Sequence, residues 1–188
     1  MRKTFEGYGS VQEAILGIAS QLFTETGVHG TSLQDIAKAA GLSKGTLYYY
    51  YPTKEALVND IAAAHAARIT DLLLTWIETI SRGCPMEDAL EILIGALLDD
   101  QALRKLHVVL FTESCLAGPS LSDLMEEMLR KWTVMLEVGT LKVQSDSARR
   151  LRDRSSLFFT LLTGAMMRPH VPEEERQRFI SVLLSESM

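Results

Sequence analysis

The chain has 188 residues, of which 47% are hydrophobic and 23% are charged, and its formal net charge is −5 at pH 7. This length suits one or two domains with a buried core, and this composition is ordinary for a globular protein. The apolar runs are shorter than the roughly 20 residues of a membrane span, and the first residues lack the apolar segment of a secretory signal. We therefore expect a cytoplasmic protein with no membrane-spanning segment.

The first predicted helix begins at Ser10, because Ser10 and Glu13 have the spacing of a capping box. Apolar residues then recur every three or four positions, which is the pattern of a helix with one buried face. Gly27 is a natural end for this helix, because glycine tolerates the left-handed conformation of a C-terminal cap. The glycine-rich residues 1–9 before it are predicted to be a mobile lead-in.

Two short helices follow, joined by a tight turn at Gly41. Thr31 and Gln34 again have capping-box spacing, and they predict a helix that runs to about residue 40. Ser43 is the predicted cap of the next helix. Pro52 ends that helix, because the residue before a proline is pushed out of helical geometry.

Six further helices are predicted after Pro52, and no segment shows the alternation that is typical of a strand. Their predicted ranges are about 53–80, 87–98, 101–116, 120–143, 145–168 and 172–184. The fold is therefore predicted to be all-α with nine helices. The helix after Pro52 is long enough to leave one domain and enter the next. We place the boundary near residue 55, between a three-helix domain at 1–55 and a helical domain at 56–188.

The third predicted helix ends in a run of tyrosines, Tyr48–Tyr51, which holds four of the five tyrosines in the chain. Leu47 and Tyr51 are four residues apart, so they share one face of the helix, which we predict to point inward. Packing explains Tyr51 well. It does not explain three further consecutive tyrosines, because a helix this short cannot bury every side.

The remaining side chains of this helix suit a surface that enters the major groove of DNA. Such a helix presents hydrogen-bonding groups outward while its inner face stays apolar, as Lys44, Thr46 and the three outer tyrosines would do. Gly45 allows a close backbone approach to the groove. Thr31 and Lys54 are predicted at helix N-termini, where free N–H groups favour a phosphate.

Charge gives this interpretation no support of its own. Residues 1–54 carry five basic and four acidic side chains, so this part is nearly neutral. A helical protein interaction module that does not bind DNA therefore stays open as an alternative.

Enzymatic and metal chemistry find little support in the sequence. Gly41–Gly45 fits the hydrolase pattern GxSxG, but that motif requires a strand before its serine and here a helix is predicted. Cys84 and Cys115 are isolated, and the four histidines form no zinc or di-iron motif. We predict no catalytic activity, no metal and no cofactor.

The segment from Val11 to Ile61 resembles the DNA-binding domain of the TetR family of bacterial transcription regulators. The match includes T-S-L-Q-D-I-A-K-A-A-G-L-S-K-G-T-L-Y and then Y-P-T-K-E-A-L, and it departs at Tyr51, where the family usually has phenylalanine. The resemblance implies operator contacts from the third helix and phosphate contacts at Thr31 and Lys54. The complete candidate DNA-binding set is Thr31, Ser32, Ser43, Lys44, Gly45, Thr46, Tyr48, Tyr49, Tyr50 and Lys54.

The resemblance also implies a homodimer, formed mainly by the last two helices, and therefore a near-palindromic double-stranded operator. The predicted helix at 145–168 supports this, because it is apolar on more than one side. Burial within a single chain is the alternative. The candidate interface residues are Phe158, Leu161, Leu162, Ala165, Phe179 and Leu183.

A third implication is a small apolar or amphipathic effector that binds among the later helices and releases a repressor from DNA. For every candidate side chain, ordinary core packing is the competing explanation. His107 stands out as a polar group within the apolar stretch L-H-V-V-L-F. The candidate lining residues are Trp76, His107, Phe111, Met125, Trp132, Met135 and Phe158.

Overall fold

The computed structural model describes residues 9–116 and 118–186, which form ten α-helices and no strand. The predicted all-α fold is therefore confirmed, whereas residues 1–8 of the predicted lead-in lie outside the described residues. The helices are α1 (Val11–Gly30), α2 (Leu33–Ala39), α3 (Lys44–Tyr50), α4 (Lys54–Thr79), α5 (Met86–Leu98), α6 (Gln101–Leu116), α7 (Pro119–Thr140), α8 (Asp146–Asp153), α9 (Ser155–Met166) and α10 (Glu173–Leu184).

The prediction of one helix over residues 145–168 is wrong. Arg154 leaves helical geometry, with φ −117° and ψ 20°, and it separates α8 from α9. No glycine or proline marks this break. The Arg154 guanidinium instead donates hydrogen bonds to carbonyls at the end of α10, so the chain turns where a distant contact requires it. This break turns the predicted nine helices into ten.

The chain divides into two compact units, residues 1–65 with 109–125 and residues 66–108 with 126–188. The first unit has a core of fully buried apolar side chains from α1 to α4. Its central members are Ile15, Phe23, Ile36, Leu47 and Leu57. The unit boundaries fall inside α4, α6 and α7, so they differ from the predicted functional boundary near residue 55, which stays a prediction.

The second unit is built around large side chains of α4, α7 and α9. The Trp76 indole N–H donates to the Ala89 carbonyl at 2.6 Å, which joins α4 to α5. Gly139 lies directly against Trp76, and a β-carbon placed there would approach the indole ring to 2.4 Å. Only glycine therefore fits this crossing of α4 and α7. In the described residues, no helix combines the length and the apolarity that crossing a bilayer requires.

Candidate nucleic-acid interface

Local signals fix both ends of α3. The Ser43 hydroxyl accepts the Thr46 backbone N–H at 3.0 Å, which caps the first turn as predicted. Before it, Gly41 takes a positive φ of 63°, a conformation that glycine adopts at little steric cost. At the other end, the Tyr51 N–H bonds to the Leu47 carbonyl at 2.8 Å, and the chain then becomes extended.

The inner face of α3 consists of Leu47 and Tyr51, and both are buried as predicted. The Tyr51 hydroxyl accepts a hydrogen bond from the Gln12 amide at 3.2 Å and donates one to the Asp60 carboxylate at 3.0 Å. Burial is the main cause that raises the pKa of Tyr51 above its ordinary value of 10.0. The phenol therefore stays protonated at neutral pH, and it links α3 to both α1 and α4.

The outer face of α3 carries the other three tyrosines. Tyr49 is 82% exposed, whereas Tyr48 and Tyr50 are 38% and 37% exposed. The rings of Tyr49 and Tyr50 meet edge to face with centroids 5.4 Å apart, and the Lys44 ammonium lies 5.5 Å from the centre of the Tyr48 ring. Gly45 and Thr46 lie in the first turn of the same helix. This surface offers phenol hydroxyls, ring faces and one positive charge.

The cap of α2 is one residue later than predicted. Ser32, not Thr31, is the N-cap, and it forms a reciprocal capping box with Asp35. The hydrogen bond from the Ser32 hydroxyl is the main cause that lowers the pKa of Asp35. Thr31 is buried, and its hydroxyl donates to the Gly27 carbonyl at 2.9 Å. Its backbone N–H donates to the Val28 carbonyl at 3.3 Å, so the predicted contact with phosphate stays a prediction.

Lys54 is the first residue of α4, but its ammonium is already engaged with the protein. It donates to the carbonyls of Val28 at 2.9 Å and Thr31 at 3.3 Å, and so connects the end of α1 to the start of α4. The predicted phosphate contact stays a prediction, and it would have to use the remaining hydrogen of this ammonium or the backbone of the first turn.

The candidate effector-lining residues do not form one group. Phe111 and Met125 belong to the first unit, and the other five belong to the second. His107 and Trp132 line a small apolar cavity between α4, α5, α6, α7 and α9. Its other lining residues are Ile69, Leu97, Leu129, Phe159, Leu162, Thr163 and Met166.

This cavity is small, with a volume of about 10 Å³, which is room for at most about one water molecule. The His107 and Trp132 rings lie 6.3 Å apart, and the Trp132 indole donates to the Thr70 hydroxyl at 3.1 Å. Burial lowers the pKa of His107 from 6.5 to about 4, so the imidazole is neutral at pH 7. Trp76, Met135 and Phe158 lie elsewhere in the second unit.

Sequence reasoning missed Phe159 and Thr163 at this cavity. Phe159 stands beside Phe158 on α9, and periodicity did not show which of the two adjacent rings faces Trp132. The Trp132 and Phe159 ring centres are 6.2 Å apart. Phe158 instead stacks on Phe179 at 5.9 Å.

The candidate dimer residues also divide into two sets. Phe158, Leu162 and Leu183 are buried in the core of the second unit and present no surface to a second copy. Leu161 is exposed on α9, and Val182 is exposed on α10. Ala165 and Phe179 are half-buried. Within residues 9–116 and 118–186, no cluster of His, Cys, Asp or Glu has the arrangement of a metal site.

Comparisons with known proteins agree with this geometry. Residues 15–61 match the family model described as bacterial regulatory proteins, tetR family. The transcriptional regulator AcrR of Shigella flexneri is 33% identical over 113 residues, which are 58% of this chain and 52% of AcrR. The repressor KstR2 of Rhodococcus jostii is 29% identical over 131 residues, 66% of this chain and 63% of KstR2. The chain thus spans between half and two thirds of these curated relatives.

The fold extends over almost the whole chain. A crystal structure of AibR in complex with isovaleryl coenzyme A and operator DNA superposes with a TM-score of 0.68, covering 93% of this chain and 98% of that one. Sequence identity in this comparison is 19%, so the likeness concerns the fold alone.

Proposed function

Since this chain belongs, through residues 15–61, to the tetR family of bacterial regulatory proteins, we propose that it is a sequence-specific DNA-binding transcriptional regulator. The observation that carries the proposal is the outer face of α3. Three consecutive tyrosines with Lys44 are exposed on a helix whose inner face is fully packed. Packing inside the protein gives no reason for this arrangement, whereas a major groove does.

The proposed roles divide between positioning and sequence recognition. Lys44, Gly45 and Thr46 at the start of α3, with Tyr48, Tyr49 and Tyr50, face base edges and nearby phosphates. Thr31, Ser32, Ser43 and Lys54 lie at the starts of α2, α3 and α4, and these helix ends position the protein on phosphates. Tyr49, the most exposed of the tyrosines, is proposed to contact bases. Residues 1–55 would form the DNA-binding part of a protein that acts in the cytoplasm.

Fluorescence anisotropy with labelled DNA from upstream of the protein's own gene tests the proposal. We expect sequence-preferring binding that weakens with salt and is lost in Tyr49→Ala and Lys44→Ala. Lys105→Ala is the matched control, because it removes one exposed positive charge from the second unit. Tyr49→Phe separates the hydroxyl from the ring.

The salt dependence gives a second measurement. Because Lys44 and Lys54 are the charged groups proposed at the interface, few phosphates are neutralised, and the slope of log K against log salt should be shallow. Absence of any salt-dependent, sequence-preferring binding would favour the protein interaction module instead.

We also propose that the protein acts as a homodimer. A dimer would place two copies of α3 about 34–36 Å apart on a near-palindromic operator. Of the candidate residues, exposed Leu161 and half-buried Ala165 and Phe179 are available to a second copy. Light scattering at micromolar concentration should show a dimer that Leu161→Asp dissociates. Leu74→Asp, at another exposed leucine of the second unit, is the control. A monomeric wild-type protein would refute this part.

Regulation by a small apolar or amphipathic effector, with release of a repressor from DNA, completes the proposal. Residues 56–188 would hold the effector near His107 and Trp132. The cavity there has room for at most about one water molecule, so a ligand would have to select a form with a larger cavity. A change from mostly bound to mostly released requires roughly 10⁴-fold preference for that form, or about 5.5 kcal/mol. Compounds that raise the melting temperature should weaken operator binding. If none does, this mechanism is wrong.

A further inference from the structure

The two side chains on the inner face of α3 hold this helix in different ways. Leu47 is fully buried in the apolar core of the first unit, and apolar burial has no preferred direction. Tyr51, the residue after the last turn of α3, is 3% exposed. Its hydroxyl makes two partly buried hydrogen bonds, with Gln12 of α1 and with Asp60 of α4. Because hydrogen bonds weaken steeply when their angles change, these two resist rotation of α3 about its own axis.

The contacts among the other polar and aromatic side chains of α3 and its cap lie within the helix itself. They join Ser43 to Thr46, Lys44 to Tyr48 and Tyr49 to Tyr50. Such contacts move with the helix, so they do not set its angle to the rest of the first unit. The hydrogen bonds of Tyr51 can set this angle, because their partners belong to two other helices of the same unit.

Tyr49, the exposed ring that is proposed to contact bases, lies two residues before Tyr51. We propose that Gln12 and Asp60 are positioning residues for operator recognition, which act through the Tyr51 hydroxyl and set the angle at which α3 enters the major groove. Recognition groups must be held to within about 0.5 Å of their productive geometry. A small rotation of α3 would therefore reduce discrimination between base pairs, while contacts with phosphate would keep the general affinity for DNA. The inference rests on the proposed DNA binding and adds two residues outside the proposed DNA-binding set.

Fluorescence anisotropy of the full chain with two DNA duplexes tests the proposal. One duplex is the operator, and the other differs from it by one base pair that the wild-type protein rejects. The measured quantity is the ratio of the two dissociation constants. We expect Tyr51→Phe, which removes the hydroxyl and keeps the ring, to lower this ratio about tenfold. A merely structural role would lower the melting temperature and leave the ratio unchanged, and that result in folded Tyr51→Phe overturns the proposal.

Two variants of Asp60 separate its hydrogen bond from its charge. Asp60→Asn keeps an acceptor oxygen for the Tyr51 hydroxyl, whereas Asp60→Leu removes it. Both variants lose one negative charge, so any general gain in affinity for DNA is the same in both. We expect Asp60→Asn to keep most of the wild-type ratio and Asp60→Leu to lose as much as Tyr51→Phe. Equal ratios in the two Asp60 variants would show that the hydrogen bond is not the cause.

A double-mutant cycle tests whether Gln12 acts through Tyr51. Gln12→Met removes the amide at similar length, and it should lower the ratio in the wild-type background and have no further effect in Tyr51→Phe. A further loss there would mean that Gln12 acts on DNA by another route. If thermal melts show that Tyr51→Phe does not fold, the two Asp60 variants decide. A wild-type protein without sequence preference would refute the proposed function and this inference together, whereas unchanged ratios in the variants refute the inference alone.

Discussion

Helices α1 to α3 and helices α8 to α10 are held in place by different kinds of contact. In the first group, the hydroxyls of Ser10, Ser32 and Ser43 each accept an N–H from a residue three positions later. In the second group, the guanidinium groups of Arg150 and Arg154 reach carbonyls at the end of α10, about thirty residues away. The first group is specified by its own short stretches of sequence. In the second group only α8 has such a cap, at Ser145, whereas α9 and α10 begin without one and depend on tertiary contacts.

The largest expected effect on the free energy of unfolding comes from a buried side chain of α9. Comparing it with an exposed neighbour distinguishes core packing within one chain from contact between two copies. Phe158→Ala should lower the free energy of unfolding by about 3–5 kcal/mol, because the ring is fully buried and stacks on Phe179. Leu161→Ala, at the exposed neighbour on the same helix, should change it by less than about 1 kcal/mol at concentrations where the protein is monomeric. Urea denaturation measures both. Similar losses in the two variants would contradict the separation.

Acid should weaken the second unit through His107. Burial holds its pKa at about 4, below the ordinary value of 6.5, so the unfolded chain binds more protons between these values. The stabilisation is therefore complete above pH 6.5 and lost as pH falls toward 4, and it amounts to about 3 kcal/mol. Urea midpoints measured from pH 7 to 4.5 should fall, and His107→Leu should flatten this dependence.

The same acid titration has an internal control. Asp35 and Glu127 have lowered pKa values through their hydrogen bonds to Ser32 and Arg130, so they titrate below their ordinary values of 3.8 and 4.5. Protonation of these two carboxylates therefore changes the free energy of unfolding only in the lowest part of the titrated pH range. A steep loss of stability above pH 5 that persists in His107→Leu would mean that another group is responsible.

The next largest loss of stability is expected when the hydrogen bonds from Arg154 to the end of α10 are removed. Arg154→Met should lower the free energy of unfolding by about 1–3 kcal/mol, because the carbonyls of Val182, Leu183 and Ser185 lose a charged donor. Hydrogen exchange should quicken at the end of α10 and at the junction of α8 and α9. Arg152→Met, two residues earlier on α8, is the comparison variant. If it has the same effect, the Arg154 contact is not the cause.

The smallest effect concerns a local cap. Ser32→Ala should cost about 1 kcal/mol, within the range of about 0.5–2 kcal/mol for lost N-caps, and Ser32→Asn should recover most of it. The effect should be confined to α2 and α3 in hydrogen exchange. Because Asp35 bonds to Ser32 in return, Asp35→Ala should show a similar loss. If Ser32→Ala is as stable as the wild-type protein, the Ser32 cap does not contribute to the free energy of unfolding.

This contrast explains what could be predicted from the sequence. The start of α1 and both ends of α3 were predicted correctly because Ser10, Ser43 and the proline after Tyr51 act on their immediate neighbours. Gly27, the predicted end of α1, does take a positive φ of 77°, but the helix continues past this kink to Gly30. The cap at Thr31 was predicted one residue early, since two adjacent hydroxyl residues precede α2 and the spacing rule fits a glutamine after one and an aspartate after the other. Ser32 caps α2 because the Thr31 side chain is buried, and that burial is set by the tertiary structure.

No residue pattern in the sequence predicted the break between α8 and α9 at Arg154, because the residues that Arg154 contacts lie at the end of α10. Helical periodicity similarly marked α9 as apolar on several sides without showing which ring packs where. Phe158 was therefore assigned to a ligand site and to a dimer interface, and in the structure it is fully buried and stacks on Phe179. The inward position of Tyr51 and the outward position of Tyr49 could both be predicted. A seven-residue helix has one buried side, and Leu47 shows which side of α3 that is.

The hydroxyl of Tyr51 has a consequence for engineering. Because it accepts a hydrogen bond from the Gln12 amide and donates one to the Asp60 carboxylate, α3 is oriented by a side chain on the opposite side from its exposed surface. The side chains that orient α3 are thus separate from those proposed to contact DNA. A library that varies only Tyr48, Tyr49 and Tyr50 should yield variants that prefer other operator sequences while the fold stays unchanged.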